Sequence, residues 1–209
     1  VRTSFGTVAK LLLSKRLTDL APGDLKRVSY CLHGSVANEG AMKLARQATA
    51  RPNIIVFQGS FHGRTIGTMS LTTSKTIYRV GYQPLMSGVV VAPYPYAYRY
   101  GWSDEETTAF CLKELRHLLA TQTAPEETAA ILIEPVLGEG GYVVPSKRFL
   151  MGVQEICREN GILFVADEIQ SGFGRTGKWF AFMHEALEPD VVVMAKGLAS
   201  GFPLSGIAA

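Results

Sequence analysis

The sequence predicts an α/β fold built on one mostly parallel sheet that is flanked by helices. Short apolar runs rich in β-branched residues alternate with segments of helical periodicity, glycine-bounded turns separate them, and charged side chains follow several runs directly. Repeated strand, helix, strand units imply parallel pairing with right-handed crossovers. Ligands of such sheets bind beyond the carboxyl ends of the strands, so we expect a site at that edge.

Each predicted element has its own sequence signal. Apolar residues at helical spacing predict helices over 7–20, 37–50, 104–121 and 149–160, the first ending at the turn 21–24. Apolar, β-branched runs predict strands over 27–32, 53–57, 129–133, 161–166, 191–195 and 204–209. The segment 89–102, rich in proline and tyrosine, is predicted to be an extended surface loop of the kind that often meets a second subunit.

Composition excludes several classes of function. The chain has 209 residues, of which 47% are hydrophobic and 19% charged, and its net charge of +3 comes from scattered residues, so we expect no nucleic-acid partner. The cysteines Cys31, Cys111 and Cys157 form no C-x-x-C pair, which predicts neither a disulfide framework nor a metal site. No apolar stretch reaches the roughly 20 residues of a membrane span. We expect a cytoplasmic protein, and a mitochondrial matrix location stays open.

An amine and a carboxylate follow two neighbouring predicted strands. Lys196 comes directly after the run 191–195, and Asp167 directly after the run 161–166. Parallel strands bring both side chains to one edge of the sheet. An amine that forms an imine, facing a carboxylate that keeps a pyridine nitrogen protonated, is the pair a pyridoxal phosphate enzyme needs. We therefore predict Lys196 and Asp167 as catalytic residues.

Three other turns carry candidate binding residues, each with an alternative explanation. Gly34-Ser35 opens a helix, where backbone N–H groups favour a phosphate, but Ser35 could simply cap that helix. Phe61-His62 lies in a glycine-bracketed loop, and Phe61 could stack on a planar cofactor. For the isolated pair, a core phenylalanine and a histidine bonded to backbone are the preferred explanation. Glu134 ends a predicted strand and could instead be solvated or paired with an arginine.

The segment 172–177 reads G-x-G-x-x-G but does not fit a dinucleotide site. Five residues separate it from the preceding strand, whereas that motif follows its strand directly. The acidic residue expected at the end of the next strand is absent, because that strand ends in Lys196. We therefore do not predict a nicotinamide or flavin cofactor from this motif.

Taken together, five segments resemble the class III aminotransferases, a group that includes 4-aminobutyrate and ornithine aminotransferases. The segments occur in the family's order and span nearly the whole chain. They are Gly34-Ser35, Phe61-His62-Gly63-Arg64-Thr65, Glu134-Pro135-Val136-Leu137-Gly138-Glu139-Gly140-Gly141, Asp167-Glu168-Ile169-Gln170-Ser171-Gly172 and Ala195-Lys196-Gly197.

The resemblance implies a fold, a cofactor and a reaction. The fold is the pyridoxal-phosphate-dependent transferase fold type I of aspartate aminotransferase, with 1–209 as a partial, cofactor-binding large domain. The amino-terminal segment and the carboxy-terminal small domain are expected to be absent, since the chain does not begin with methionine and stops within a predicted strand. The reaction is transfer of an amino group from an amine or ω-amino acid to a 2-oxo acid, and the implied assembly is a homodimer.

The resemblance also assigns roles to individual residues. It implies that Lys196 forms the internal aldimine and shuttles a proton, and that Asp167 pairs with the ring nitrogen. Phe61 and Ile169 cover the two ring faces, Gln170 bonds the ring hydroxyl, and Gly34 with Ser35 holds the phosphate. His62 and Glu134 complete the predicted cofactor-binding set, and Glu139 is predicted to face the substrate.

Two departures from the family pattern concern the predicted phosphate site, because the family usually has a hydroxyl residue at the position of His33 and a glutamate at the position of Val36. Because the chain is expected to be truncated, one alternative is a non-catalytic fragment that binds the cofactor or serves as an interaction module. Another is a different class III reaction on the same cofactor, such as that of an aminomutase or a decarboxylase.

Overall fold

The computed structural model describes residues 6–21, 23 and 25–209, and within these ranges it forms one seven-stranded sheet with helices on both faces. The helices are α1 (Val8–Leu20), α2 (Gly34–Thr49), α3 (Ile66–Leu71), α4 (Ala97–Tyr100), α5 (Asp104–Thr121) and α6 (Lys147–Asn160). The strands are β1 (Val28–Cys31), β2 (Asn53–Phe57), β3 (Val89–Ala92), β4 (Thr128–Ile133), β5 (Leu163–Asp167), β6 (Val191–Met194) and β7 (Ser205–Ala208).

The sheet is mostly parallel, as predicted. Its strand order is β1-β7-β6-β5-β4-β2-β3, and β7 alone in this sheet runs antiparallel to its neighbours. The other six strands therefore end at the same edge, where Asp167 pairs in register with Val193 of β6. The segments that follow β1, β2, β4, β5 and β6 all emerge at this carboxyl edge, which fixes the place of the site before any side chain is considered.

Alternate residues of the central strands face two separate apolar clusters. In β2, Ile55 and Phe57 join the cluster formed with α5 and α6, whereas Ile54 and Val56 face the opposite cluster beneath α2. This is the pattern of strands that are covered on both faces. Helix α2 lies close on the sheet because it presents small residues at intervals of four, namely Ala37, Ala41 and Ala45.

The structure corrects several predicted boundaries. The segment 89–102 is not only a loop, since it contains the edge strand β3 and the short helix α4, and its Tyr94 is a core residue that packs edge-on against Phe57. Helix α3 was not predicted, because six residues are too few for a periodic signal. Helix α2 begins at Gly34 rather than at residue 37. In the predicted turn 21–24, Pro22 and Asp24 lie outside the described residues, as do residues 1–5.

The glycine-rich segment 172–177 forms consecutive turns after β5. The next regular element along the chain is a 3₁₀ turn at Ala181–His184 and not an α-helix, so this segment does not open an α-helix. This geometry confirms that 172–177 is not a dinucleotide-binding turn. In the part of the chain that the structure describes, no helix combines the length and hydropathy of a bilayer-crossing segment.

Candidate active site

A cavity of about 620 Å³ opens at the carboxyl edge of the sheet. Every site residue predicted from the sequence contributes to the wall of this cavity. The structure therefore brings together residues that are up to 162 positions apart, from Gly34 to Lys196. The same wall also contains residues that were not predicted, including Arg64 and Thr65 after β2 and Phe202 before β7. The predicted residues in the wall are Gly34, Ser35, Phe61, His62, Glu134, Glu139, Asp167, Ile169, Gln170 and Lys196.

Asp167 ends β5 as a buried carboxylate with three hydrogen-bond donors. His62 Nδ1 and Asn38 Nδ2 each lie 2.8 Å from Asp167 Oδ2, and the backbone N–H of Ile169 donates to Oδ1 at 3.0 Å. The side chain of Asp167 is 2% exposed. Since each oxygen already accepts from the protein, the orientation of the carboxylate is fixed before any ligand enters.

Asn38 is a site residue that sequence reasoning missed. Its amide donates to Asp167 Oδ2 and, at 2.9 Å, to the backbone carbonyl of His62, so it ties α2 to the strand end and to the loop after β2. The sequence feature that could have identified Asn38 is its position beside Ala37, on the apolar face of a predicted helix. Its fully buried position depends on the close approach of α2 to the sheet, which periodicity does not reveal.

His62 is bonded to a side chain and not to backbone, which corrects one alternative drawn from the sequence. Its ring is buried, with Nδ1 on Asp167, and Nε2 has no hydrogen-bond partner among the described residues. A buried ring nitrogen without a partner is uncommon and costs free energy unless a ligand or a water satisfies it. His62 therefore lies behind Asp167 and supports that carboxylate.

Lys196 follows β6 in a left-handed backbone conformation, with φ of +43°. Non-glycine residues rarely adopt this conformation, and they keep it only where the surroundings impose it. Lys196 Nζ donates a hydrogen bond to Gln170 Oε1 across the cavity. Burial lowers the pKa of the Lys196 amine, and Arg175 acts in the same direction, whereas Asp167 opposes the shift. The shift increases the fraction of neutral amine, which is the nucleophilic form.

The N-terminus of α2 faces the cavity without a side-chain cap. His33 is the N-cap residue and makes no capping hydrogen bond, so the first N–H groups of the helix have no partner inside it. Ser35 does not cap the helix, because its Oγ accepts from the backbone N–H of Arg64 at 3.3 Å. The capping interpretation of Ser35 is therefore wrong. Backbone and dipole together make this end of α2 suited to an anion.

Two glycines keep this end of the cavity narrow and lined by backbone. A Cβ on Gly34 would lie 2.8 Å from Ile169 Cδ1, and a Cβ on Gly63 would lie 2.6 Å from Thr68 Oγ1. Gly63 also has a φ of +135°, which side chains rarely tolerate. Because no side chain projects from Gly34 or Gly63, a ligand can approach the backbone N–H groups at this end of the cavity directly.

Glu134 is neither solvated nor paired with an arginine, which corrects both alternatives drawn from the sequence. It is 5% exposed and accepts backbone N–H groups through both oxygens, from Phe61 at 2.7 Å and from Gly138 at 2.9 Å. The carboxylate therefore joins the loop after β2 to the loop after β4. Burial raises the pKa of Glu134 to about 7, against the opposing effect of His62.

This raised pKa predicts a pH-dependent stability. Because the folded protein keeps a proton on Glu134 that the unfolded chain releases above its ordinary pKa of 4.5, the free energy of unfolding falls as pH rises from about 4.5 to about 7. We expect a contribution on the order of 3 kcal/mol across this window. Glu134→Gln removes the ionisable group and, with it, this pH-dependent contribution to the free energy of unfolding. Denaturant unfolding of both proteins from pH 4.5 to 7.5 measures the difference, and identical pH profiles would contradict the assignment.

Glu139 lies on the same wall but is exposed. Its carboxylate accepts from Lys75 Nζ at 3.2 Å and from Tyr78 Oη at 3.1 Å, and the bond from Lys75 is the main cause of its lowered pKa. Tyr78 also packs edge-on against Phe61, with ring centroids 5.0 Å apart. The charged carboxylate of Glu139 therefore lies at the mouth of the cavity, next to the aromatic pair formed by Phe61 and Tyr78.

The described residues contain no group of three or more histidine, cysteine or acidic side chains arranged to hold a metal ion. The wall of the cavity combines one amine, several carboxylates and the anion-binding end of α2. That combination suits a flat ligand with an anionic group at one end, a basic ring atom at the other and an electrophilic carbon near Lys196.

Comparison with known proteins gives a family match. The family described as Aminotransferase class-III matches residues 2–209. A probable 4-aminobutyrate aminotransferase of Bacillus subtilis is 42% identical over 93% of this chain and 45% of its own length, and an alanine/serine racemase of Pyrococcus horikoshii is 36% identical over 93% and 43%. This chain therefore spans less than half the length of the curated relatives it matches.

Solved structures share the fold. The taurine:2-oxoglutarate aminotransferase of Bifidobacterium kashiwanohense, solved in complex with PLP and glutamate, superposes with a TM-score of 0.94 at 33% identity. The superposition covers 100% of this chain and 48% of that one. The α/β fold with a mostly parallel sheet is therefore shared with a PLP-dependent aminotransferase, as expected from the sequence.

Proposed function

The chain belongs to the class III aminotransferase family, and on this premise we propose that it forms the cofactor-binding part of a pyridoxal 5′-phosphate-dependent aminotransferase. The proposed reaction moves an amino group from an amine or ω-amino acid to a 2-oxo acid. One observation carries the proposal: Asp167 ends β5, Lys196 follows the adjacent parallel strand β6, and both line a cavity whose wall includes the uncapped N-terminus of α2.

The residues present fit this cofactor. The N-terminus of α2 with Ser35 would bind the phosphate, and Asp167 would hold the ring nitrogen protonated. Phe61 and Ile169 supply apolar groups for the two ring faces, and Gln170 supplies a polar group for the ring hydroxyl. When bound, the cofactor supplies an electron-withdrawing ring that stabilises negative charge on the substrate carbon.

Lys196 has two tasks in this proposal. Its neutral amine would hold the cofactor covalently, and the same nitrogen, once released, would take up and return a proton at the cavity mouth. The lowered pKa of Lys196 suits both tasks, because each begins with a free electron pair on Nζ. Gln170 Oε1, which accepts from Nζ, orients the amine toward the cavity.

The amino donor is proposed to be 4-aminobutyrate-like. The supporting observations are the 4-aminobutyrate aminotransferase relatives and Glu139, an exposed carboxylate at the cavity mouth that could bind a cation of the protein or of the substrate. We also propose a homodimer, because Ile66 and Phe202 leave apolar surface near the cavity. A cytoplasmic location is proposed from the three free cysteines.

A half-reaction tests the function. The native protein, loaded with pyridoxal 5′-phosphate, is incubated with 4-aminobutyrate, 5-aminovalerate, acetylornithine, ornithine or alanine and no oxo acid. We expect one donor to convert the cofactor to pyridoxamine 5′-phosphate with one oxo product per site, as measured by chromatography. If every donor leaves the bound cofactor unchanged, the transaminase proposal fails, and the non-catalytic interpretation and a different class III reaction remain.

The racemase relative supports a second candidate, a different class III reaction on the same cofactor. Such an enzyme would exchange the α-hydrogen of alanine or serine in D₂O and invert its configuration without forming pyridoxamine phosphate. Chiral chromatography and proton NMR of the same incubations distinguish the two reactions, because only transamination consumes the amino donor.

A further inference from the structure

The glycine-rich segment 172–177 contributes no residue to the wall of the cavity, yet it lies directly against Gly197, the residue after Lys196. A Cβ built on Gly197 would be 2.8 Å from Phe173 Cβ, closer than real Cβ atoms approach. Gly197 does not have a left-handed backbone conformation, so its lack of a side chain is explained by this contact and not by its φ.

Phe173 is itself firmly held. Its backbone N–H donates to the Trp179 carbonyl at 2.6 Å, and its ring packs edge-on against Phe180, whose ring stacks on Phe182. Phe180 and Phe182 are both buried. Phe173, Phe180 and Phe182 form an aromatic row, which connects the turn at Phe173 to the apolar core on the α5 and α6 side of the sheet.

Glu168 anchors the two ends of this segment. The residue is fully buried, and its carboxylate accepts from Ser171 Oγ at 2.6 Å and from the backbone N–H of Phe182 at 2.8 Å. Its backbone carbonyl accepts from Gly172 N–H at 2.8 Å. A buried carboxylate without hydrogen-bond donors costs free energy. If the segment between Ser171 and Phe182 moved, Glu168 would either become exposed to solvent or remain buried without donors.

These contacts supply the constraint that the left-handed conformation of Lys196 requires. We propose that Phe173, anchored through Glu168 and the aromatic row, is a positioning residue that presses on Gly197 and thereby fixes the backbone of Lys196 at the cavity. The inference deepens the proposed function, since it concerns the residue that would hold the cofactor. Arg175 in the same segment helps to lower the pKa of the Lys196 amine, after the larger effect of burial.

Gly197→Ala tests the contact, with Phe173→Gly as its rescue. Alanine at 197 adds the Cβ that Phe173 excludes, while glycine at 173 removes that obstacle and accepts the φ of +58° found there. Gly40→Ala is the matched control, because a Cβ on Gly40 meets only Ile207 Cδ1 at an ordinary 3.7 Å. We expect the double variant to recover only part of what Gly197→Ala loses, because it relieves the clash but lacks the Phe173 ring. Gly40→Ala should match the native protein.

The first measurement needs no cofactor. Competitive acetylation of the apo protein across pH, read by mass spectrometry, gives the reactivity of Lys196 relative to exposed Lys113. In the native protein Lys196 should react at lower pH than Lys113, and in Gly197→Ala its profile should move toward that of Lys113. The charged groups that act on Lys196, besides Arg175, are Asp167, Glu134 and Glu139, and none of these is altered. An unchanged profile in Gly197→Ala would overturn the proposal.

The second measurement uses the protein loaded with pyridoxal 5′-phosphate. A displacement of about 1 Å is expected to lower kcat about 10²-fold, with KM for the amino donor little changed. The double variant should exceed Gly197→Ala in kcat, and equal rates in the two would contradict the proposal. If Gly197→Ala does not fold, Phe173→Gly alone must lower kcat and shift the acetylation profile. If the native protein does not bind the cofactor, the proposed function fails, while the acetylation result still decides this inference.

Discussion

Lys196→Ala is expected to abolish covalent attachment of pyridoxal 5′-phosphate and to lower kcat by about 10²–10⁴-fold. Alanine lacks both the nucleophile and the group that returns the proton. Borohydride reduction followed by peptide mass spectrometry should find the cofactor on Lys196 of the native protein and on no residue of the variant. The variant should still bind the cofactor noncovalently, because the end of α2 and the Asp167 carboxylate are unchanged.

Lys113→Ala provides the control for this experiment. Lys113 lies on α5, is exposed and does not line the cavity, so its loss should leave both the trapped cofactor and kcat at native levels. Equal trapping in the native and Lys196→Ala proteins, or trapping on another lysine, would show that the amine has been misassigned. Retained transaminase activity in Lys196→Ala would reject the proton-transfer role.

Asp167→Asn is expected to lower kcat by about 10²–10³-fold while leaving cofactor binding partly intact. Asparagine keeps the shape of the side chain and can still accept from His62 and Asn38, but it carries no charge to hold a ring nitrogen protonated. Its amide hydrogens would face the N–H of Ile169, so we also expect the free energy of unfolding to fall by about 1–3 kcal/mol.

The absorption spectrum separates these two effects of Asp167→Asn. A loss of ring protonation changes the spectrum and the pH dependence of the bound cofactor, whereas a purely structural defect changes only the amount bound. Asp19→Asn, which alters an exposed ion pair on α1, is the control and should change neither. Native kcat and a native spectrum in Asp167→Asn would remove Asp167 from the mechanism.

Much of this site was predictable because strand ends are visible in a sequence. The runs before Asp167 and Lys196 are short, apolar and β-branched, and parallel pairing brings whatever follows such runs to one edge. Helix α5 was predicted at its observed bounds, because its amphipathic pattern is long. The structure adds a capping box at its N-terminus, formed by Ser103 and Glu106.

What the sequence did not reveal depends on contacts between distant segments. Asn38 resembles any polar residue in a helix until α2 packs against β5, and Glu134 resembles a solvated acid until two loops close over it. Strand β3 was hidden because the proline and tyrosine residues that follow it dominate the composition of 89–102. The contact of Phe173 with Gly197 joins two turns, and turns have no periodicity that predicts their partners.

The order of strands in the sheet has a consequence for how the protein acquires its activity. β1, from the start of the chain, is joined to the centre of the sheet only through β7, which lies at the other end of the sequence. The loop after β1 leads into the anion-binding end of α2, so the sheet around that end is complete only when β1 has paired with β7, the most non-local pairing of the described sheet. Pairings of such long sequence separation are slow to form, and during synthesis the cavity should mature last, after the central strands have already assembled.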